Sequence, residues 1–267
     1  MIMNKTDNKM KRFYFTIVAL LATLVAGAQT IKVYEYDDNG NLNVIPTFVS
    51  GKKAKVVFTD EKEHEYVDLG LPSGTLWATC NVGANLPEEY GLYFAWGETT
   101  GYTGDVSDGH EFKWENYKWC EGTAWSMTKY CIDSSLGTID YKTELDPEDD
   151  AATVNWGPDW CMPTNEQQEE LINPSYTDTE WTTLNGVAGC KITSKKNGNF
   201  IFLTPSGYRD YSSFYVAGSY GTYWSRSLNP NFSYMGLPLN FGEGNISAYN
   251  NCARYCGQSV RPVRVKK

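Results

Sequence analysis

"LDPEDDAATVNWGPDWCMPTNEQQ", Leu145 to Gln168, holds both places where this chain signals a helix. Asp146-Pro147-Glu148-Asp149 reads as a helix start, with an acid to cap, proline at the first helical position and more acids in the first turn. Thr164-Asn165-Glu166-Gln167 is a capping box that opens "NEQQEELI", and Asn173-Pro174 stops it. Around these the chain reads as strand and loop. "CKITSKKNGNFIFLTP", Cys190 to Pro205, is a hairpin turning at Asn197-Gly198. Leu237-Pro238-Leu239-Asn240-Phe241 alternates as a strand does, and "SVRPVRV", Ser259 to Val265, reads as a closing strand. Upstream, "YVDLGLPSGTLWATCNVGA" begins at Tyr66, followed by loops rich in Gly and Trp to about Gly137. Two short helices, many short strands and long loops make the expected class α+β.

Before Tyr66 the composition changes twice. Residues 29–60 read as a β prefix: "IKVYEYDDNGNLNVIP" is two strands around Asn39-Gly40, and "KAKVVF" supplies a third. The charged stretch "TDEKEHE", Thr59 to Glu65, reads as a linker. Residues 1–28 have the order of a secretory signal: Lys5, Lys9, Lys11 and Arg12, the apolar run Phe13 to Val25, then Ala26-Gly27-Ala28. That run is well short of the roughly 20 apolar residues that span a bilayer. The expectation is an exported protein, at the cell surface, in the periplasm or secreted. Loss of the signal removes four basic residues and one acid and moves the net charge from −9 to −12. Such acidity argues against nucleic-acid partners and anionic membranes.

"EYVDLGLPSGTLWATCNVGA", "YFAWGET", "LDPEDDAATVNWGPDWCMPTNEQQ" and "GQSVRPVRV" occur in that order across residues 65–265. Together they resemble the Fibrobacter succinogenes major paralogous domain family of exported bacterial proteins. The section from Asp150-Ala151-Ala152 through Trp160 and Met162-Pro163-Thr164 to Glu166 is also similar to the formylglycine-generating (sulfatase-modifying) family. This chain lacks that family's Arg before Leu/Met-Pro-Thr and its Trp after the helix start. The resemblance therefore implies a C-type-lectin-like fold in which a long irregular C-terminal region forms the binding face. It does not carry an activity.

Chemistry by the usual catalytic groups finds little support. The chain has only two histidines, His64 and His110, both read as solvated surface residues, and no G-x-S-x-G elbow or Gly-rich phosphate loop. Asp146, Glu148, Asp149 and Asp150 are ligands of the type calcium takes, but the order Asp-Pro-Glu-Asp is explained by helix capping. No metal and no cofactor are expected. Cys252 and Cys256 invite comparison with the copper-binding cysteine pair of the sulfatase-modifying enzymes, yet "YNNCARYCGQ" lacks the surrounding pattern. A disulfide, or two incidental thiols, is the simpler reading.

Residues 207–257 stand apart in composition. Gly207 to Cys256 contains eight Tyr, seven Ser, six Asn and six Gly, and no Lys occurs from Asn197 to Val265. Antibody paratopes have this bias, because Tyr offers rigid amphipathic area while Ser, Gly and Asn adapt their hydrogen bonds. Trp224, Leu237, Leu239 and Phe241 are assigned to the core. Tyr211, Phe214, Tyr215, Tyr220, Tyr223, Phe232, Tyr234, Tyr249 and Tyr255 are expected on one exposed face, with Arg226, Asn250 and Asn251 hydrogen-bonding at its rim. The family resemblance adds that some such proteins have this region diversified by a retroelement that randomises adenines, chiefly in Asn codons. Those codons become Tyr, Ser, Asp, Phe, Cys, Gly or Arg, and not Lys, Glu, Gln, Trp or Met. The expected function is recognition of a protein or glycan ligand, without enzymatic activity. The competing classes are an oxidase of the sulfatase-modifying type and a structural envelope module.

Overall fold

The computed structural model describes Thr30–Tyr36, Leu42–Pro46, Lys53–Val56 and residues 64–265. Residues 1–28, the Asn39-Gly40 turn and most of the charged linker lie outside the described residues. Residue contacts divide the chain into Met1–Glu63 and His64–Lys267. In the first unit Thr30–Tyr36 is the middle strand of three, antiparallel to Leu42–Pro46 and parallel to Lys53–Val56.

In the second unit the strand Tyr66–Asp68 pairs with Thr75–Ala78, which pairs on its other edge with the last strand, Val263–Val265. A second sheet runs through Thr177–Leu184, Val187–Ser194 and Phe200–Leu203, and its second hairpin turns through Asn197 and Gly198 as the sequence indicates. The largest sheet has six strands. At its centre lies Tyr220–Leu228, antiparallel to Met235–Gly242 on one edge and parallel to the short strand Gln258–Ser259 on the other, which in turn pairs with Tyr93–Phe94. The unit is mostly β, with two α-helices among the described residues, Ala151–Trp156 and Asn165–Leu171.

The central strand explains how the core is laid out. Successive side chains of a strand point to opposite faces, and here both faces are covered. Tyr223 enters a cluster with Trp77, Leu171, Ile192, Leu203, Leu239 and Phe241. Its neighbour Trp224 enters another with Phe94, Trp96, Ala152, Met162 and Val260. The strand is therefore buried along nearly its whole length, without alternation.

Four local expectations are corrected. The first helix is capped by Asp150, whose carboxylate accepts from the amides of Thr153 (2.9 Å) and Met162 (2.9 Å). Asp146 instead precedes a separate 3-10 turn, Pro147–Asp149, and makes no side-chain cap bond. Asp146 and Asp149 face lysines, with Lys129 2.6 Å from each. "SVRPVRV" is two strands in two sheets, because Pro262 has no amide to continue a ladder. Neither histidine is a free surface group: His64 stacks on Trp156 at 3.6 Å, and His110 on Tyr102 at 3.6 Å. The fourth correction, at Tyr223, concerns the candidate face itself. No helix among the described residues is long and apolar enough to cross a membrane.

Candidate recognition face

A tight hairpin begins the face. Gly207 has φ +64°, and a Cβ there would lie 2.1 Å from the Tyr215 carbonyl oxygen, so only glycine fits this entry. Tyr208–Asp210 then pairs with Ser213–Tyr215 in antiparallel register. Alternation turns Arg209 and Phe214 to one side and Tyr208, Asp210, Ser213 and Tyr215 to the other. The inner side is pinned. Arg209, fully buried, donates to both Asp108 oxygens (2.6 and 3.1 Å) and to the carbonyls of Thr103 (3.0 Å) and His110 (2.8 Å). Phe214 packs edge-on against Tyr93 at 5.2 Å. The Arg209 guanidinium holds the Asp108 carboxyl below the usual carboxylate range. On the other side Tyr208 and Tyr215 stack at 5.3 Å. Tyr211, at the hairpin tip with φ +50°, is 51% exposed.

A second buried arginine positions the neighbouring loop. Arg254 donates to the Tyr117 hydroxyl (2.8 Å) and to the carbonyls of Ser233 (2.8 Å), Lys129 (3.1 Å) and Tyr130 (3.2 Å), with its guanidinium 4.8 Å over the Trp96 ring. The next residue, Tyr255, thereby meets Tyr211 (6.0 Å) and Trp114 (4.8 Å). Trp114 and Tyr234 both pack on the small cluster Met127, Cys131 and Leu136, and Tyr234 adjoins Phe232 at 5.8 Å. Ring contacts thus run in a band from Tyr211 through Tyr255 to Trp114, and the Met127 cluster joins Trp114 to the Tyr234–Phe232 pair.

The remaining candidates distribute as follows. Tyr211, Tyr215 and Phe232 are exposed, while Phe214, Tyr220, Tyr234 and Tyr255 are half-buried. Tyr249 is 80% exposed on the loop that carries Asn250, whose amide donates to the Ser247 carbonyl (3.1 Å), and the exposed Asn251. Tyr223 does not belong to the face. It is 1% exposed, stacks on Phe241, and its hydroxyl is enclosed by Asn81 and Thr204. Arg226 is not a rim residue of this band either: it pairs with Glu144 (3.1 Å), and its amide donates to Pro163 on the helical side. Sequence reading missed Tyr208, Asp210 and Trp114. Trp114 lies outside the Tyr-rich segment and reaches the band only through packing.

Against the Tyr208 and Asp210 side of the hairpin lies an unusual polar spot. Cys252 and Cys256 share a hydrogen bond, which eases the Cys252 thiol below its ordinary value and, with burial, holds the Cys256 proton. The Gln258 side chain bonds Cys252, yet its Oε1 is buried without a donor, and so is Asp210 Oδ1. Burial and the neighbouring thiol and carboxylate push the Tyr255 phenol up. Cys252 and Cys256 are thiols and do not form a disulfide with each other. Among the described residues no three His, Cys, Asp or Glu side chains gather in a way that could hold a metal ion. Two surface cavities, of about 390 and 200 Å³, lie elsewhere: one beside Leu69–Pro72, Tyr176 and Lys196, the other between Trp181 and Asn245.

No family model, curated protein or solved structure matches the chain.

Rigid rings, one partly buried carboxylate and adaptable Ser and Asn side chains sit on two buried arginines that fix their positions.

Proposed function

We propose that this chain is an exported, surface-displayed binding protein of the Fibrobacter succinogenes major paralogous domain type. Its second unit is a C-type-lectin-like domain, and the aromatic band recognises a protein or glycan ligand. The band of half-buried rings, with Tyr211, Tyr215 and Phe232 exposed along it, carries this reading. Its rings are large and rigid, they lose little entropy on contact, and they sit in the segment with paratope-like composition. Exposed aromatic surface of this kind is a liability unless a partner covers it. The first and last strands of the second unit flank Thr75–Ala78 in one sheet, and this arrangement supports the lectin-like assignment. Diversification of residues 207–257 by a retroelement belongs to the same proposal, since exposed loop positions on a pinned scaffold tolerate change.

Replacing Tyr211, Tyr215, Phe232 and Tyr249 together by alanine tests whether these rings belong to the face or to the core. As face residues they leave the unfolding free energy within about 2 kcal/mol, since exposed positions each contribute within about 0.5 kcal/mol. A loss of roughly 8 kcal/mol or more, as four core truncations would produce, refutes the reading.

A further inference from the structure

We propose that the part of the band around Asp210 receives an arginine side chain of a partner protein, held between the Tyr208, Tyr211, Tyr215 and Tyr255 rings and the Asp210 carboxylate. The inference rests on the recognition-face reading and names the chemistry of its anchor.

Asp210 is a negative charge without a cation. Among the described residues it makes no ion pair, although ten such pairs form elsewhere. The two nearest arginines in sequence and loop are already engaged: Arg209 turns inward to Asp108, and Arg254 is consumed by carbonyls and the Tyr117 hydroxyl. The Tyr255 phenol bonds the Asp210 carboxylate, while its Oδ1 is closed to water and has no donor. A carboxylate oxygen left so is costly, and the hydrogen bond from tyrosine does not neutralise the charge that a cation would pair.

The surroundings select the kind of cation. Tyr208 and Tyr215 present a stacked pair 5.3 Å apart, while Tyr211 and Tyr255 meet at 70°. Rings at these angles offer π-faces to a cation from two directions. A guanidinium is flat, weakly hydrated, stacks on aromatic faces and forks onto a carboxylate, whereas an ammonium is a hydrated point charge. An anionic ligand would meet Asp210 with like charge, on a chain of net charge −9. Overall acidity of this sign draws a basic partner.

The test titrates the isotope-labelled full chain with N-acetyl-arginine methylamide while following backbone NMR signals. The lysine analogue and the citrulline analogue, which has the shape of arginine without its charge, serve as comparisons. Arginine should shift signals of residues 208–215 and 252–258, with citrulline at least tenfold weaker and lysine weaker than arginine. Asp210→Asn should weaken arginine binding about tenfold at an unchanged unfolding midpoint; Tyr211→Ala, at the exposed tip, is the second variant should Asp210→Asn fold poorly. Equal binding of citrulline, full binding by both variants, or shifts elsewhere on the chain overturns the proposal, and an equal lysine response overturns the guanidinium assignment. A silent titration of a protein whose Tyr211→Ala and Tyr215→Ala variants stay stable defeats this inference alone. Unfolding of those variants defeats the recognition face beneath it.

Discussion

Removing one oxygen atom from Tyr223 separates the buried tyrosine from its exposed neighbours. In Tyr223→Phe the ring still stacks on Phe241, and only the hydroxyl is lost. That hydroxyl donates to the Thr204 carbonyl (2.9 Å) and accepts from Asn81 Nδ2 (3.1 Å), with Thr204 Oγ1 also 2.9 Å away. After the change Asn81 keeps the Tyr90 carbonyl (2.9 Å), and the Thr204 carbonyl keeps the Ser206 amide (2.8 Å). The Thr204 hydroxyl loses its short partner and keeps only a long bond from Asn81 Nδ2 (3.4 Å), in a site closed to water. A buried polar group stripped of its partner costs about 1–3 kcal/mol. At about 2–4 °C per kcal/mol for a domain of this size, the midpoint of thermal unfolding should fall by about 2–12 °C. Tyr223→Ala, which also empties the ring's volume, should cost about 3–5 kcal/mol. Tyr249→Ala should stay within about 0.5 kcal/mol. Thermal and urea unfolding followed by circular dichroism give all three values. A Tyr223→Ala loss below about 1 kcal/mol, or a Tyr249→Ala loss equal to it, would refute the division of this segment into core and face.

Asp108→Asn strips the buried Arg209 of its counter-charge and should cost about 3 kcal/mol or more, read by urea unfolding. In the unmodified protein the Asp108 carboxyl sits below its ordinary range because of Arg209, so its stabilisation is complete above about pH 4 and fades as pH falls through the lower folded value. Burial, helped by Arg209, likewise lowers His110 from its ordinary 6.5, so its contribution declines as pH falls below that value; a stability profile flat from pH 7 to pH 3 would contradict both signs. Asp150→Ala, which strands the Thr153 and Met162 amides, should cost about 2 kcal/mol and more than Asp146→Ala, by the same unfolding assay; the reverse order would restore Asp146 as the cap. Because Asp146 and Asp149 are neutralised by Lys129, EDTA should leave the unfolding midpoint unchanged, and a fall of several degrees reversed by calcium would show a bound ion.

What the sequence made legible was local. The capping box needs only Thr164 and Gln167, three residues apart, and both of its reciprocal bonds form. The Asn197-Gly198 turn is equally self-contained. The first helix start was read four residues early because two acids qualify as caps, and a distant donor decides between them: the Met162 amide reaches Asp150. Tyr223 was misread because spacing reveals one buried face, whereas the central strand is covered on both. Trp114 was invisible for a related reason. It lies some way before the Tyr-rich segment, and only the fold of the loops around Met127 brings it to Tyr255. The Lys-free composition now has a partial physical account. Arg209, Arg254 and Arg261 are fully buried and bond several acceptors in a fork, which a lysine cannot reproduce.

Sequencing codons 207–257, and the DNA flanking them, across many cells of one population tests the recognition face most directly. If ligands select this surface, differences gather at exposed positions such as Tyr211, Tyr215, Phe232 and Tyr249. A nearby second copy should carry Asn codons at those positions, beside a reverse-transcriptase gene. Arg209, Tyr223, Trp224 and Arg254, which hold the scaffold, should be the same in every cell. An invariant segment with no second copy, or differences spread equally over buried and exposed positions, would contradict the account.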